Sequence, residues 1–272
     1  MSAKRILTIA ESDSGGGSGI QADIKTIMAF GGYAASAVTS VTAQNSKGVQ
    51  EYVNIEPSFV VMQMRAVLDD IGADAIKIGL LGGGQMINDV SDVLDELLET
   101  KIKVVIDPSI VARDGTVMLD HGTIATLKRR LLVRATVLTP NLREAELLTG
   151  MKVHDIDDMK HAADMLRTLG AEAVVLKGGA ISGEKVVDLV ATSDGETIFE
   201  SPILRTRHTQ GAGATLSTAI AICVAQGMDV PAAVKTGLDY LNRAIETAYG
   251  FGQGAGPINH GHVIDKARFA AA

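Results

Sequence analysis

Ile6-Leu7-Thr8-Ile9-Ala10-Glu11-Ser12-Asp13-Ser14-Gly15-Gly16-Gly17-Ser18-Gly19-Ile20-Gln21-Ala22-Asp23 is the run whose reading decides the fold. Its first five residues form an unbroken apolar or β-branched stretch, which predicts a buried strand. The glycines that follow predict a loop, and the segment to about Met28 a helix. Strand, loop and helix in that order make the opening of an α/β unit.

The same alternation continues outward from this run. Val60, Met64, Val67, Leu68 and Ile71 fall at helical spacing, and residues 73–81 read as a strand entering Gly82-Gly83-Gly84. Met86, Val90, Val93, Leu94 and Leu97 form another apolar stripe, followed by the short strand Val104-Val105-Ile106, which ends at Asp107-Pro108. Residues 135–139 predict a strand ending at Pro140-Asn141, and residues 142–148 a short helix before Gly150. Met159, Ala162, Ala163, Leu166 and Leu169 stripe a further helix, and residues 173–176 give the next strand. Residues 186–191, 197–200 and 203–206 predict an antiparallel meander turning at Asp194-Gly195, and residues 215–225 and 232–248 are helical. The expectation is an α/β chain with a mostly parallel sheet, a few antiparallel edge strands, and one domain over residues 1–272.

Composition narrows the function. A net charge of -7 supplies no positive field for nucleic acid, and 3% aromatics with no tryptophan leave little surface for stacking bases. Lys128-Arg129-Arg130 reads as a solvated helix face. The single cysteine, Cys223, lies in an apolar run and is expected to be buried packing. No apolar run is long enough for a bilayer, and Met1 to Arg5 lead into a strand without a signal-type segment, so a cytoplasmic protein with no membrane partner is expected.

An open parallel sheet binds ligands beyond the carboxyl ends of its strands, where the informative polar residues of this chain cluster. The loop at residues 15–19 is neither a Walker A loop nor a dinucleotide fingerprint; it serves either ligand contact or turn geometry. Asp23 and Gln44 interrupt apolar segments. The Gln44 amide both donates and accepts, which suits an aminopyrimidine edge or a core hydrogen bond. Asn141 and Glu144, three apart, suit water-mediated Mg²⁺ and phosphate or a helix cap. Lys177, before Gly178-Gly179, suits phosphate or a surface turn. Gly211-Ala212-Gly213-Ala214 precedes an apolar helix, so its small residues expose backbone N–H groups at the helix's positive end.

The ordered set resembles the hydroxymethylpyrimidine and phosphomethylpyrimidine kinases of the ribokinase-like superfamily. It runs through Asp13, residues 16–26, Thr42-Ala43-Gln44-Asn45, Lys77-Ile78-Gly79-Leu80-Leu81, Asp107-Pro108, residues 139–146, Lys177-Gly178-Gly179 and residues 254–260. The resemblance implies a three-layer α-β-α domain that uses ATP and Mg²⁺ to phosphorylate 4-amino-5-hydroxymethyl-2-methylpyrimidine and its monophosphate for thiamine assembly. It further implies a homodimer. Gln44 would read the pyrimidine and Asp23 would shape that site. Asn141 and Glu144 would organise Mg²⁺, the latter through water, and Lys177 would lie on the nucleotide side. Gly211, Gly213 and the Ala214 backbone would form the anion hole.

The chain departs from that family where its chemistry is concentrated. Gln210-Gly211-Ala212-Gly213-Ala214 stands where the family has His-Gly-Thr-Gly-Cys, so Ala214 offers no side-chain base and Ala212 no hydroxyl. Ser14, Gly15 and Ser18 replace Pro, Ser and Ala; Ser109 and Ile110 replace Val and Met; Ala180 replaces a histidine and Leu238 a lysine. A pyridoxal-type kinase and a catalytically impaired ATP- or pyrimidine-binding protein are the alternatives these departures leave.

Overall fold

The computed structural model describes residues 3–265 apart from 113, 180 and 182; Ala180 therefore lies outside the described residues. Nine strands form one sheet in the order β3-β2-β1-β4-β5-β6-β7-β8-β9. They are β1 (Arg5–Asp13), β2 (Tyr33–Asn45), β3 (Gly48–Asn54), β4 (Ala75–Ile78), β5 (Lys103–Ile106), β6 (Val137–Leu138), β7 (Ala173–Lys177), β8 (Lys185–Thr192) and β9 (Gly195–Pro202). Strands β2, β1, β4, β5, β6 and β7 run parallel, while β3 on one side and β8–β9 on the other are antiparallel.

Helices cover both faces, giving the expected three layers. On one face lie α2 (Pro57–Leu68), α3 (Gly84–Asp95), α4 (His121–Arg130), α5 (Leu142–Thr149) and α6 (Ile156–Thr168). Their apolar stripes pack on Leu7, Ile9, Ile76, Ile78, Ile106 and Leu176, all fully buried. On the other face lie α1 (Gly19–Ala29), α7 (Ala212–Ala225) and α8 (Val230–Glu246). Helix α7 is buried along almost its whole length, Cys223 included, because it is sandwiched between the sheet and α8. A helix apolar all round requires such a position.

Two differences from the sequence expectation matter. The hairpin β2–β3 was not foreshadowed by alternation, because all seven residues of β3 are exposed and carry no inward stripe. The third strand expected at 203–206 does not form: β9 ends at Pro202, and the chain leaves the sheet there, where proline lacks the N–H a ladder needs.

Topology places the site. Strand β1 is flanked by β2 on one side and β4 on the other, so chain connections leave in opposite directions from the β1–β4 boundary. This is the switch point at which an open sheet leaves a crevice beyond its strand ends. The β1–β4 ladder stops at Ile9–Ile78, while β1 continues beside β2 to Asp13.

Candidate active site

The glycine loop is built around Asp13, which is 1% exposed. Its Oδ1 accepts from Gly15 N at 2.7 Å, and its Oδ2 accepts from Gly17 N at 3.0 Å, Ser18 N at 2.9 Å and Ser18 Oγ at 2.8 Å. A buried carboxylate satisfied this fully is an anchor, and the loop's amides are turned inward. Of the two readings open for residues 15–19, turn geometry is the one these bonds favour. Oδ2 also accepts from Gln210 Nε2 at 3.1 Å, which ties this loop to the entry of α7.

That entry is tightly docked. Gly211 has φ 82, and a Cβ there would collide with the Gly17 carbonyl oxygen, so only glycine fits. Helix α7 begins at Ala212, three residues earlier than the apolar pattern places it, and Gly213 and Ala214 belong to its first turn. Ala212 N donates to Thr209 O and Thr215 N to Gly211 O; the N–H groups of Gly213 and Ala214 meet no acceptor among the described residues. Two free donors at a helix N-terminus are the groups with which a helix can hold an anion.

Lys177 and Asp107 stand opposite this turn. Lys177 Nζ pairs with Asp107 Oδ1 at 3.0 Å, and a Cβ at Gly213 would lie 3.5 Å from Nζ and 3.8 Å from Asp107 Oδ2. Burial works against the Lys177 ammonium, but Asp107, Glu144 and Asp188 outweigh it and hold its pKa above the ordinary lysine value. The group therefore stays charged at neutral pH. Asp107 is a candidate site residue to which the sequence reading assigned no role; its position at the end of β5, before Pro108, was the available signal.

Asn141 and Glu144 form a capping box at the start of α5. Asn141 Oδ1 accepts from Glu144 N and Glu144 Oε2 from Asn141 N, each at 2.9 Å. Glu144 Oε1 also accepts from Ile110 N at 2.9 Å and Val111 N at 3.4 Å. Burial raises the Glu144 pKa, Lys177 opposes the rise and Asp107 adds to it. The box fixes the strand-end loops beside Lys177, whose N donates to Pro140 O at 2.9 Å.

Gln44 sits half-buried at a β-bulge of β2, its Nε2 3.4 Å from Ser18 Oγ and its Oε1 3.3 Å from Thr42 Oγ1. These are long contacts, leaving the amide free to re-pair with a ligand edge. Asp23, expected to shape the substrate site and to bind substrate, has no exposed surface, which corrects the expectation of direct contact. It is ion-paired to Lys77 Nζ at 3.0 Å and accepts from Thr218 Oγ1 at 2.6 Å and from the Thr8 hydroxyl. Asp23 thus supports the floor beneath the site, bridging α1, β1, β4 and α7.

A three-layer α-β-α fold with a polar crevice at the switch point of its sheet, closed by a helix whose first turn lies beside a lysine, is the architecture of the ribokinase-like class of small-molecule phosphotransferases. Within it, this chain belongs to the phosphomethylpyrimidine kinase family, whose model matches residues 13–259. The hydroxymethylpyrimidine/phosphomethylpyrimidine kinase of Streptomyces coelicolor is 41% identical over 259 residues, 95% of each chain. The ADP complex of Bacillus subtilis pyridoxal kinase superposes with TM-score 0.86 at 34% identity, covering 99% of this chain and 100% of that one. The phosphomethylpyrimidine kinase of Clostridium difficile gives 0.79 at 35%, covering 89% and 99%.

Proposed function

We propose that this chain uses ATP to phosphorylate 4-amino-5-hydroxymethyl-2-methylpyrimidine and then its monophosphate, supplying the diphosphate for thiamine assembly. The family match over residues 13–259, combined with the Lys177–Asp107 pair beside the first turn of α7, is the observation that carries it. Phosphoryl transfer requires alignment and charge compensation above all. The Gly213 and Ala214 amides and Lys177 supply donors and positive charge where the γ-phosphoryl group would pass. Gln44 would hold the aminopyrimidine edge.

Among the described residues, no cluster of three His, Cys, Asp or Glu side chains offers a cage for a metal. Mg²⁺ fits such a site, because it keeps most of its waters and binds chiefly to substrate phosphates. Asn141 and Glu144 would hold it through water, the Glu144 oxygens being already engaged by backbone N–H groups, and the ion would offset phosphate charge.

The working unit in this reading is one kinase domain paired as a homodimer in the cytoplasm. The edge hairpin supports the pairing: Val41, Val49, Tyr52 and Val53 are 47–64% exposed on adjoining strands. Among the described residues no helix is long and apolar enough to cross a membrane. A concentration-independent monomer mass in light scattering would overturn the dimer.

Time-resolved mass detection of products with Mg²⁺-ATP, offering hydroxymethylpyrimidine and pyridoxal in parallel, tests the assignment. The pyrimidine phosphate is the expected product. Pyridoxal phosphate alone would establish the second reading, which the likeness to Bacillus subtilis pyridoxal kinase favours. Nucleotide binding with neither product would establish a binding protein.

A further inference from the structure

Ala214 leaves the alcohol nucleophile without a side-chain base at the start of α7, yet an alcohol must lose its proton as it attacks phosphorus. The crevice contains a carboxylate on a different element. Glu11 lies on β1 two residues beyond Ile9, where the β1–β4 ladder has ended, and therefore at the switch point itself. It is half-buried, and its Oε1 would lie 3.0 Å from a Cβ at Gly19, the first residue of α1. Gly19 follows Ser18, whose hydroxyl meets both Gln44 and Asp13.

Lys77 from β4, Asp23 from α1 and Asp107 from the end of β5 lie near enough to act on Glu11 electrostatically. Asp107 in turn faces Gly213 of α7. Other carboxylates of the site are occupied: Asp13 by loop amides, Asp23 by Lys77 and two threonines, Asp107 by Lys177, and Glu144 by backbone N–H groups. By contrast, no other described residue donates a hydrogen bond to the Glu11 carboxylate.

We propose that Glu11 is the general base for phosphorylation of the hydroxymethyl group in this chain, taking the role that a side chain at position 214 cannot fill. This rests on the kinase reading above. In the step, the substrate hydroxyl oxygen bonds to the γ-phosphorus and its proton passes to a Glu11 carboxylate oxygen. The bond from the γ-phosphorus to the β–γ bridging oxygen breaks, and its electron pair leaves on ADP.

Burial pushes the Glu11 carboxyl up to about 7; Lys77 opposes the rise, and Asp23 and Asp107 add to it. Below that value the group is protonated and cannot accept a proton, so the alcohol reaction should climb as pH rises through neutrality. The second phosphorylation differs in kind. Its nucleophile is a phosphate oxygen whose own pKa of about 6 leaves it already ionised near pH 7.

The experiment compares the parent chain, Glu11→Gln and Glu11→Asp on hydroxymethylpyrimidine and on its monophosphate, with pH profiles of kcat/KM. Glu11→Gln is expected to lower the alcohol reaction roughly 10²-fold or more, at least tenfold beyond any loss on the monophosphate. Its residual alcohol rate should no longer climb through neutral pH, and Glu11→Asp should recover part of the loss. Equal losses on the two substrates would make Glu11 a packing or binding residue and overturn the proposal. An unchanged alcohol rate in Glu11→Gln would also overturn it while leaving the kinase reading intact. Failure of the parent to phosphorylate either pyrimidine would defeat that reading, and the base assignment with it.

Discussion

The turns at residues 15–19 and 211–214 are both runs of small residues entering a helix, yet they have opposite uses. In the first, the amides of Gly15, Gly17 and Ser18 converge on the buried Asp13 carboxylate. In the second, no acceptor among the described residues meets the amides of Gly213 and Ala214, and Lys177 and Asp107 stand before them. A glycine-rich helix entry is therefore not itself an anion site. The distinction is whether the protein already holds a carboxylate where an anion would bind.

Breaking the open turn's charge balance should have the largest effect. Lys177→Met removes the facing cation and should lower kcat/KM roughly 10²–10³-fold, comparable to loss of a transition-state donor, in a steady-state assay. Next, Gly211→Ala forces a Cβ against the Gly17 carbonyl at φ 82. It should cost about 2–4 kcal/mol in denaturant unfolding, because the two turns can no longer dock.

Asp13→Asn tests the closed turn. It substitutes a weaker acceptor and introduces donors among inward-facing amides, so a destabilisation on the order of 1–2 kcal/mol is expected, again by denaturant unfolding. A loss as large as that from Gly211→Ala would mean the closed turn dominates the docking. The smallest effect is expected from Ala214→Cys. If Glu11 already takes the proton, a thiol should raise alcohol phosphorylation no more than roughly tenfold, well short of full general-base assistance.

The layer order was legible because buried strands such as 6–10 and 104–106 are short apolar runs and the helices carry regular stripes. The β2–β3 hairpin was not, since neither the bulge at Gln44 nor an exposed edge leaves an alternating pattern. In the site, single residue types marked Gln44 and Lys177, but the direction of a side chain is a tertiary fact. Asp23 is a polar residue at helical spacing from Gly19, and only the arrival of Lys77 and Thr218 makes it a buried support. Glu11 carries no motif at all. Its significance depends on where the β1–β4 ladder stops.

The Asp23 junction also constrains when this protein can become itself. Thr218 reaches Asp23 across 195 residues of chain, and Lys77 across 54. At about 5–20 residues per second, synthesis leaves the N-terminal strands waiting on the order of ten seconds or more for α7. Throughout that interval the nascent chain has its floor half assembled and no anion cradle, so competence to handle phosphate arrives only near the end of translation.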